Sequence, residues 1–301
     1  KEAPMTFSPD AEYPLVNTEK GRFPGHFTAG FEASDALPRL VSIKAGTKVN
    51  VVPGKAKAAV EGFEMAALEK AAAETKEETG ISFELAAEGT VTEITATGIG
   101  AHASTPDVGN NALTGLLVFL GKLDFASCPQ VDMVRKTASL FPHGDVNGKT
   151  LGVAMEDELS GNLTLSFNML SVDAAGMDGE FDGRIPVCGN DENVLEVVRA
   201  RMAEQGLTLL NKALIPPHHV SADSYFVKTL LAAFELYTGR KGECQALGGG
   251  TYVHHLENGV AFGAAMPETD NKMHGPDEFA VVDELLVSAK IFAQAIVDLC
   301  G

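Results

Sequence analysis

The residues best placed to do chemistry sit in Gly98–Ala112, which reads Gly-Ile-Gly-Ala-His-Ala-Ser-Thr-Pro-Asp-Val-Gly-Asn-Asn-Ala. Gly98 and Gly100 loosen the backbone, while Pro106 and Asn110 mark a bend and a helix start. Such a loop can hold one imidazole, His102, towards a ligand. A neutral imidazole ring carries one donor and one acceptor, so it can transfer a proton, steady an oxyanion or bind a metal. Asp10 stands between Pro9 and Pro14, and His274 stands in Met273-His274-Gly275-Pro276-Asp277-Glu278. Arg184 offers a planar fork matched to a carboxylate. Taken singly, each has a plainer reading: a turn histidine, a turn acid, a strand-edge amide at Asn50.

The elements that must position these groups follow from periodicity. Thr90–Thr97 alternates like a half-buried strand, and Ala112–Leu123 carries Leu113, Leu116, Leu117, Leu120 and Leu123 at helical spacing. Glu61–Thr79 reads as a helix stopped by Gly80. Asn162–Asp173 reads as an alternating strand with Gly179–Val187 as its partner, followed by a helix over Asn190–Gln205 and a strand over Leu207–Leu214. Pro216-Pro217 marks a boundary, and His218-His219 reads as linker, since adjacent histidines on a strand cannot both face one ion. Asp223–Thr238 reads as a helix capped by Ser221 or Asp223. Three glycines then meet in Gln245–Thr251, with His254 and His255 placed on a following helix as structural residues. Val260–Gly263 reads as a buried strand and Ala264–Glu278 as a long loop. In the last helix, Val281–Leu299, the residues Leu285, Ala289, Phe292, Ile296 and Leu299 are expected to face a sheet.

The pattern Ala-His-Ala-Ser-Thr-Pro-x-x-Gly-x-Asn-Ala around His102 resembles a signature of the aminoacylase/carboxypeptidase family of two-zinc exopeptidases, closest to peptidase V and carnosinase-like dipeptidases. Phe-Ser-Pro-Asp-Ala-Glu-Tyr-Pro at Phe7–Pro14 and the His274 motif resemble segments of the same family. The resemblance implies zinc ligation by Asp10 and His274, and a catalytic role for His102 in stabilising a tetrahedral oxyanion. It implies substrate contacts from Asn50, Arg184 and the Gly249-Gly250-Thr251 loop, with Arg184 on the substrate's terminal carboxylate. It also implies an α/β fold: an α+β lid of strand–helix repeats on antiparallel sheets, inserted in a zinc-peptidase catalytic domain of which part is present. The expected division is 1–20 catalytic, 21–217 lid and 218–301 catalytic.

Two tempting motifs are declined. Glu77-Glu78 resembles the family's paired glutamates and His143-Gly144-Asp145-Val146 its His-x-Asp-Val zinc motif, but both occur in the wrong order, inside the lid-like region. Without counterparts for those early motifs, the chain reads as the C-terminal two-thirds of a family member. The expected function is a zinc-dependent dipeptidase using two zinc ions on dipeptides with a free C-terminal carboxylate, this chain alone being inactive. The alternatives are hydrolysis of N-acyl amino acids, or a non-catalytic module that self-associates through a lid edge strand.

Composition bounds these readings. The 301 residues are 45% hydrophobic, enough for one large core or two modest ones. A formal charge of −18 argues against nucleic acid and anionic membranes as partners. No apolar run reaches a membrane span and no signal-peptide pattern is seen. Four scattered cysteines without a Cys-x-x-Cys pair suit a reducing cytoplasm.

Overall fold

The computed structural model describes residues 3–32, 34–272 and 277–301. The chain forms two units, one of Arg22–Glu156 and Asn162–Ile215, the other of Lys1–Gly21, Asp157–Gly161 and Pro216–Gly301. The larger combines helices with a largely antiparallel sheet and the smaller combines them with a mixed one, an α/β fold.

The larger unit is built on an eight-stranded sheet. Its order is Thr208–Leu209, Gly21–Ala29, Met177–Ile185, Thr164–Val172, Arg39–Ala45, Lys55–Glu61, Val91–Thr97 and Ser82–Glu88. Alternation decides which face is dry: along Gly21–Ala29, Phe23 and Phe27 are buried and join Phe141, Phe167 and Phe181 in one core. Helix Ala112–Gly121 places Leu113, Leu116, Leu117 and Leu120 on that core, and helix Met65–Thr79 adds Leu68 and Ala71. Burying each such side chain stabilises the fold by about 1.5–3 kcal/mol. Gly80 ends Met65–Thr79 at φ 74°, the left-handed conformation that the sequence required of it.

The smaller unit has a sheet in the order Thr6–Ser8, Gly259–Ala261, Leu15–Glu19 and His218–His219, with Cys244–Leu247 also pairing with Leu15–Glu19. Helices Tyr225–Thr238 and Val282–Cys300 pack through Phe226, Leu230, Phe234 and Ile291 with Tyr13, Leu15 and Phe262. Burial pushes the Tyr13 phenol up to about 12.

Several local expectations are corrected. Ser224, not Ser221 or Asp223, caps Tyr225–Thr238, its hydroxyl accepting from Val227 N at 3.2 Å. Asn111, one residue after Asn110, caps Ala112–Gly121. Leu207–Leu214 shrinks to a two-residue strand, Thr208–Leu209, because past Leu210 the Asn211 side chain takes the edge bonds to His26 N and Pro24 O while Leu214 N donates to Asp191. His218-His219 is a short strand on Thr18–Glu19 rather than linker; the two rings diverge, His219 to Thr18 Oγ1 and His218 to the Gly259 carbonyl. His254 and His255 lie in turns, not on a helix. The last helix buries Ser288, Ile291 and Ala295, leaving Leu285, Ala289 and Ile296 exposed and Phe292 and Leu299 partly buried. That helix is apolar on more than one side, so periodicity offered two stripes, and the packing partners chose the one with small residues.

Candidate substrate-anchoring site

In the larger unit, Ile99 and Asn110 bond each other twice, N to O at 2.8 Å in both directions, pinching the loop between them at its neck. A Cβ on Gly98 would stand 2.1 Å from Asn110 O, so only glycine permits this neck. Asn111 then ties the loop to the sheet: its carbonyl oxygen accepts from Leu113 N and Thr114 N, and its amide donates to Phe167 O at 2.8 Å. Beyond the neck, His102 pairs with Val51, and Ala103 N donates to Asn50 O at 3.0 Å. His102 and Asn50 are thereby fixed side by side on antiparallel backbone, both exposed.

The His102 ring has a determined tautomer. Ser104 N donates to Nδ1 at 3.2 Å, and the Ser104 hydroxyl lies 2.7 Å from the same nitrogen. An amide can only donate, so Nδ1 accepts and the neutral ring carries its proton on Nε2.

Arg184 lies on the sheet below this loop. Thr164 is opposite Arg184 and Ser166 opposite Asp182, and the Thr164 hydroxyl reaches Ser104 O at 3.5 Å. The face that points away from Phe23 and Phe181 therefore carries Arg184, Asp182, Ser166 and Asn168. All four are at least nine-tenths buried. Arg184 is held side-on by Asp182, Nε to Oδ1 at 2.5 Å and Nη2 to Oδ2 at 2.9 Å. Burial pushes the Asp182 carboxyl above its ordinary value, against the downward pull of Arg184, His102 and Arg22. A bulge at Asn168 turns its amide to Val49 O at 2.5 Å, beside Asn50, while its carbonyl oxygen accepts from Ser166 Oγ. Gly46 makes room for that turn: at φ 78°, a Cβ there would be 2.0 Å from Asn168 O. The contacts of Thr164 with Ser104 and of Asn168 with Val49 thus set the segments that carry His102 and Asn50 against the sheet face that carries Arg184.

In the smaller unit, Asp10 is exposed after strand Thr6–Ser8. The Gly249-Gly250-Thr251 loop follows strand Cys244–Leu247, which runs opposite in sense to Thr6–Ser8. Asp10 and this loop consequently leave the sheet at opposite ends. The loop is pinned from below by Glu19, whose Oε1 accepts from Thr251 N at 3.1 Å and Thr251 Oγ1 at 2.6 Å. Glu19 Oε2 lies 2.6 Å from His254 Nδ1, and His254 Nε2 lies 2.8 Å from Pro216 O. Burial pushes the Glu19 carboxyl up, but the hydrogen bonds from His254 and Thr251 outweigh it and hold it below its ordinary value. His254 thereby bridges the Glu19 carboxyl and the Pro216 carbonyl.

His274 lies outside the described residues. Among the described residues no three His, Cys, Asp or Glu side chains gather to hold a metal ion. Asp10 and His274 together are two ligands where zinc takes four, so these two alone do not complete a zinc site. The two declined motifs have structural occupations. Glu78 meets Lys122 at 2.8 Å, and the Asp145 carboxylate closes a turn by accepting from the backbone of Asn147, Lys149 and Thr150. His143 Nδ1 meets Thr114 Oγ1 at 2.9 Å, and burial holds its ring below the ordinary histidine value.

The chain is 35% identical over 300 residues to Beta-Ala-Xaa dipeptidase of Lactobacillus delbrueckii subsp. lactis, covering 98% of this chain and 62% of that protein. It is 35% identical over 302 residues to YtjP of Bacillus subtilis (strain 168), which carries a dipeptidase name, covering 98% of this chain and 63% of the relative. The chain is similar in sequence to bacterial proteins that carry dipeptidase names. It spans just under two thirds of the length of these two. No family model matches it. Its fold is that of the aminoacylhistidine dipeptidase from Vibrio alginolyticus, at a TM-score of 0.54 and 12% identity, over 99% of this chain and 66% of that one.

Sequence reading missed Asp182, Ser166, Asn168, Glu19 and His254 as parts of these arrangements. One signal was available: Thr164, Ser166 and Asn168 occupy alternate positions of one strand, which marks a wholly polar sheet face. Glu19 carries no such mark.

Proposed function

We propose that the chain serves a metal-dependent dipeptidase as its substrate-anchoring part, the larger unit acting as a lid that holds a dipeptide by its free C-terminal carboxylate. The observation that carries this reading is the packing of the His102 and Asn50 segments against the polar sheet face of Arg184, where the Asp182 carboxyl feels the His102 ring. A guanidinium and an amide are donors matched to a carboxylate, and a neutral imidazole with its proton on Nε2 is a donor suited to a developing oxyanion. The dipeptidase names of the relatives support the substrate class.

The metal, if zinc, would take Asp10 and His274 among its ligands and supply an activated water. What the described residues do is narrower: they bind, orient and offer a proton-bearing nitrogen. The test is binding of a free dipeptide, its C-terminal amide and an N-acetyl amino acid to the purified chain, followed by calorimetry. Preference for the two free acids over the amide is expected. Equal binding of acid and amide would sink the carboxylate-anchor reading. Clear preference for the N-acetyl amino acid over the dipeptide would move the substrate class to N-acyl amino acids.

A further inference from the structure

The charge on the polar face is not accounted for by Arg184. Asp182 takes Nε and Nη2 of its fork, so the pair is electrically neutral and its side-on donors are spent. A second guanidinium stands beside this pair. Phe23 lies across from Gly183, where a Cβ would stand 3.2 Å from Phe23 Cβ, and Gly25 and Phe181 meet one step on in the opposite sense. This antiparallel register sets Arg22 opposite Arg184, on the face away from Phe23.

Arg22 is held there by its backbone, which bonds Ile215 in both directions at 2.9 and 3.0 Å. Its Nε is buried without a hydrogen-bond partner, and Arg22 forms no ion pair among the described residues. A guanidinium is always charged and has five donors to satisfy, and the carboxylate that feels Arg22, Asp182, is already bonded to Arg184. The other charges on this face lie further along it. Glu180 is four residues from Arg184, about 13 Å at the rise of a strand, and His26 is paired with Asp178 at 2.8 Å.

We propose that Arg22 supplies the positive charge that draws the substrate carboxylate to this face, while Arg184, oriented by Asp182, fixes its position. Arg22 is then a specificity-determining residue that separates free acids from their amides. This rests on the carboxylate-anchor reading above, and the experiment separates the two.

Glycyl-leucine and its C-terminal amide are titrated by calorimetry into the 301-residue chain and into Arg22→Met, Arg22→Lys and Arg184→Met, each checked by thermal melting. The wild type should prefer the acid by about tenfold, the effect of one charge-assisted contact. Arg22→Met should nearly abolish that preference without changing amide affinity, and Arg22→Lys, which keeps the charge and the fold, should retain most of it. A preference unchanged in Arg22→Met but lost in Arg184→Met overturns the role of Arg22 and leaves the anchor reading standing. If Arg22→Met does not fold, loss of the preference in a natively melting Arg22→Lys overturns the charge argument. A wild type that does not distinguish acid from amide overturns both.

Discussion

At the scale of single residues, the site is a set of constraints on protons and charges. The amide of Ser104 fixes the His102 tautomer, because it leaves Nδ1 nothing to do but accept. Nitrogen-15 spectra of the neutral ring should therefore show the proton on Nε2; a dominant Nδ1–H form would contradict the loop geometry. Asp182 and Arg184 form a buried pair, and removing one member leaves the other desolvated and unmatched. Arg184→Met should accordingly lower stability by about 3–5 kcal/mol, measured by urea unfolding. Replacing both, as Asp182→Leu with Arg184→Met, should recover much of that loss, since no stranded charge remains. A double variant no more stable than Arg184→Met would show that the pair is needed for more than mutual compensation.

At the scale of elements, each candidate loop is held by a polar contact that reaches across the sequence. Asn111 joins the His102 loop to the strand at Phe167, and Glu19 joins the Gly249–Thr251 loop to the strand Leu15–Glu19. The second contact is pH-dependent. The folded Glu19 carboxyl titrates below its ordinary value, so its contribution is whole above the unfolded glutamate value, about 4.3, and is lost as pH falls through the lower folded value. Glu19→Gln should lower stability by about 3 kcal/mol at neutral pH, the lower end for stripping one partner from a buried pair. It should also flatten the acid limb of stability against pH below about 4. Urea midpoints from pH 3 to 7 read both effects; an acid limb as steep in the variant as in the wild type would place the titrating group elsewhere.

At the scale of the whole molecule, the two units carry different parts of the proposed chemistry. The larger holds donors for a carboxylate and an oxyanion; the smaller holds Asp10 and, by sequence, His274. With no group of three metal ligands among the described residues, the purified 301-residue chain is expected to hydrolyse no dipeptide, with or without added zinc. A metal-bound water and a base to take its proton are both required for the reaction, and two ligands do not close a zinc site. Zinc-dependent turnover abolished by Glu78→Gln or His143→Ala would overturn this expectation, because it would give those residues roles that their contacts with Lys122 and Thr114 do not suggest.

The sequence by itself determined the elements and the identity of the chemical groups. Alternation over Thr90–Thr97 and Asn162–Asp173, leucine spacing after Ala112 and the glycine stop at Gly80 are local properties, set by backbone sterics and by which side chains avoid water. The His102 pattern pointed to a family because spacing within one loop is also local. Tertiary structure decided everything that depends on what lies across a strand. It put Arg22 beside Arg184, gave Asp182 the Arg184 fork, turned Asn168 towards Val49 through a bulge and buried Glu19 against His254. It also chose which stripe of Val282–Cys300 became its buried side. Register and packing partners are non-local, and a helix that is apolar on two faces, or a carboxylate at the end of a buried strand, does not name its neighbour until the sheet has formed.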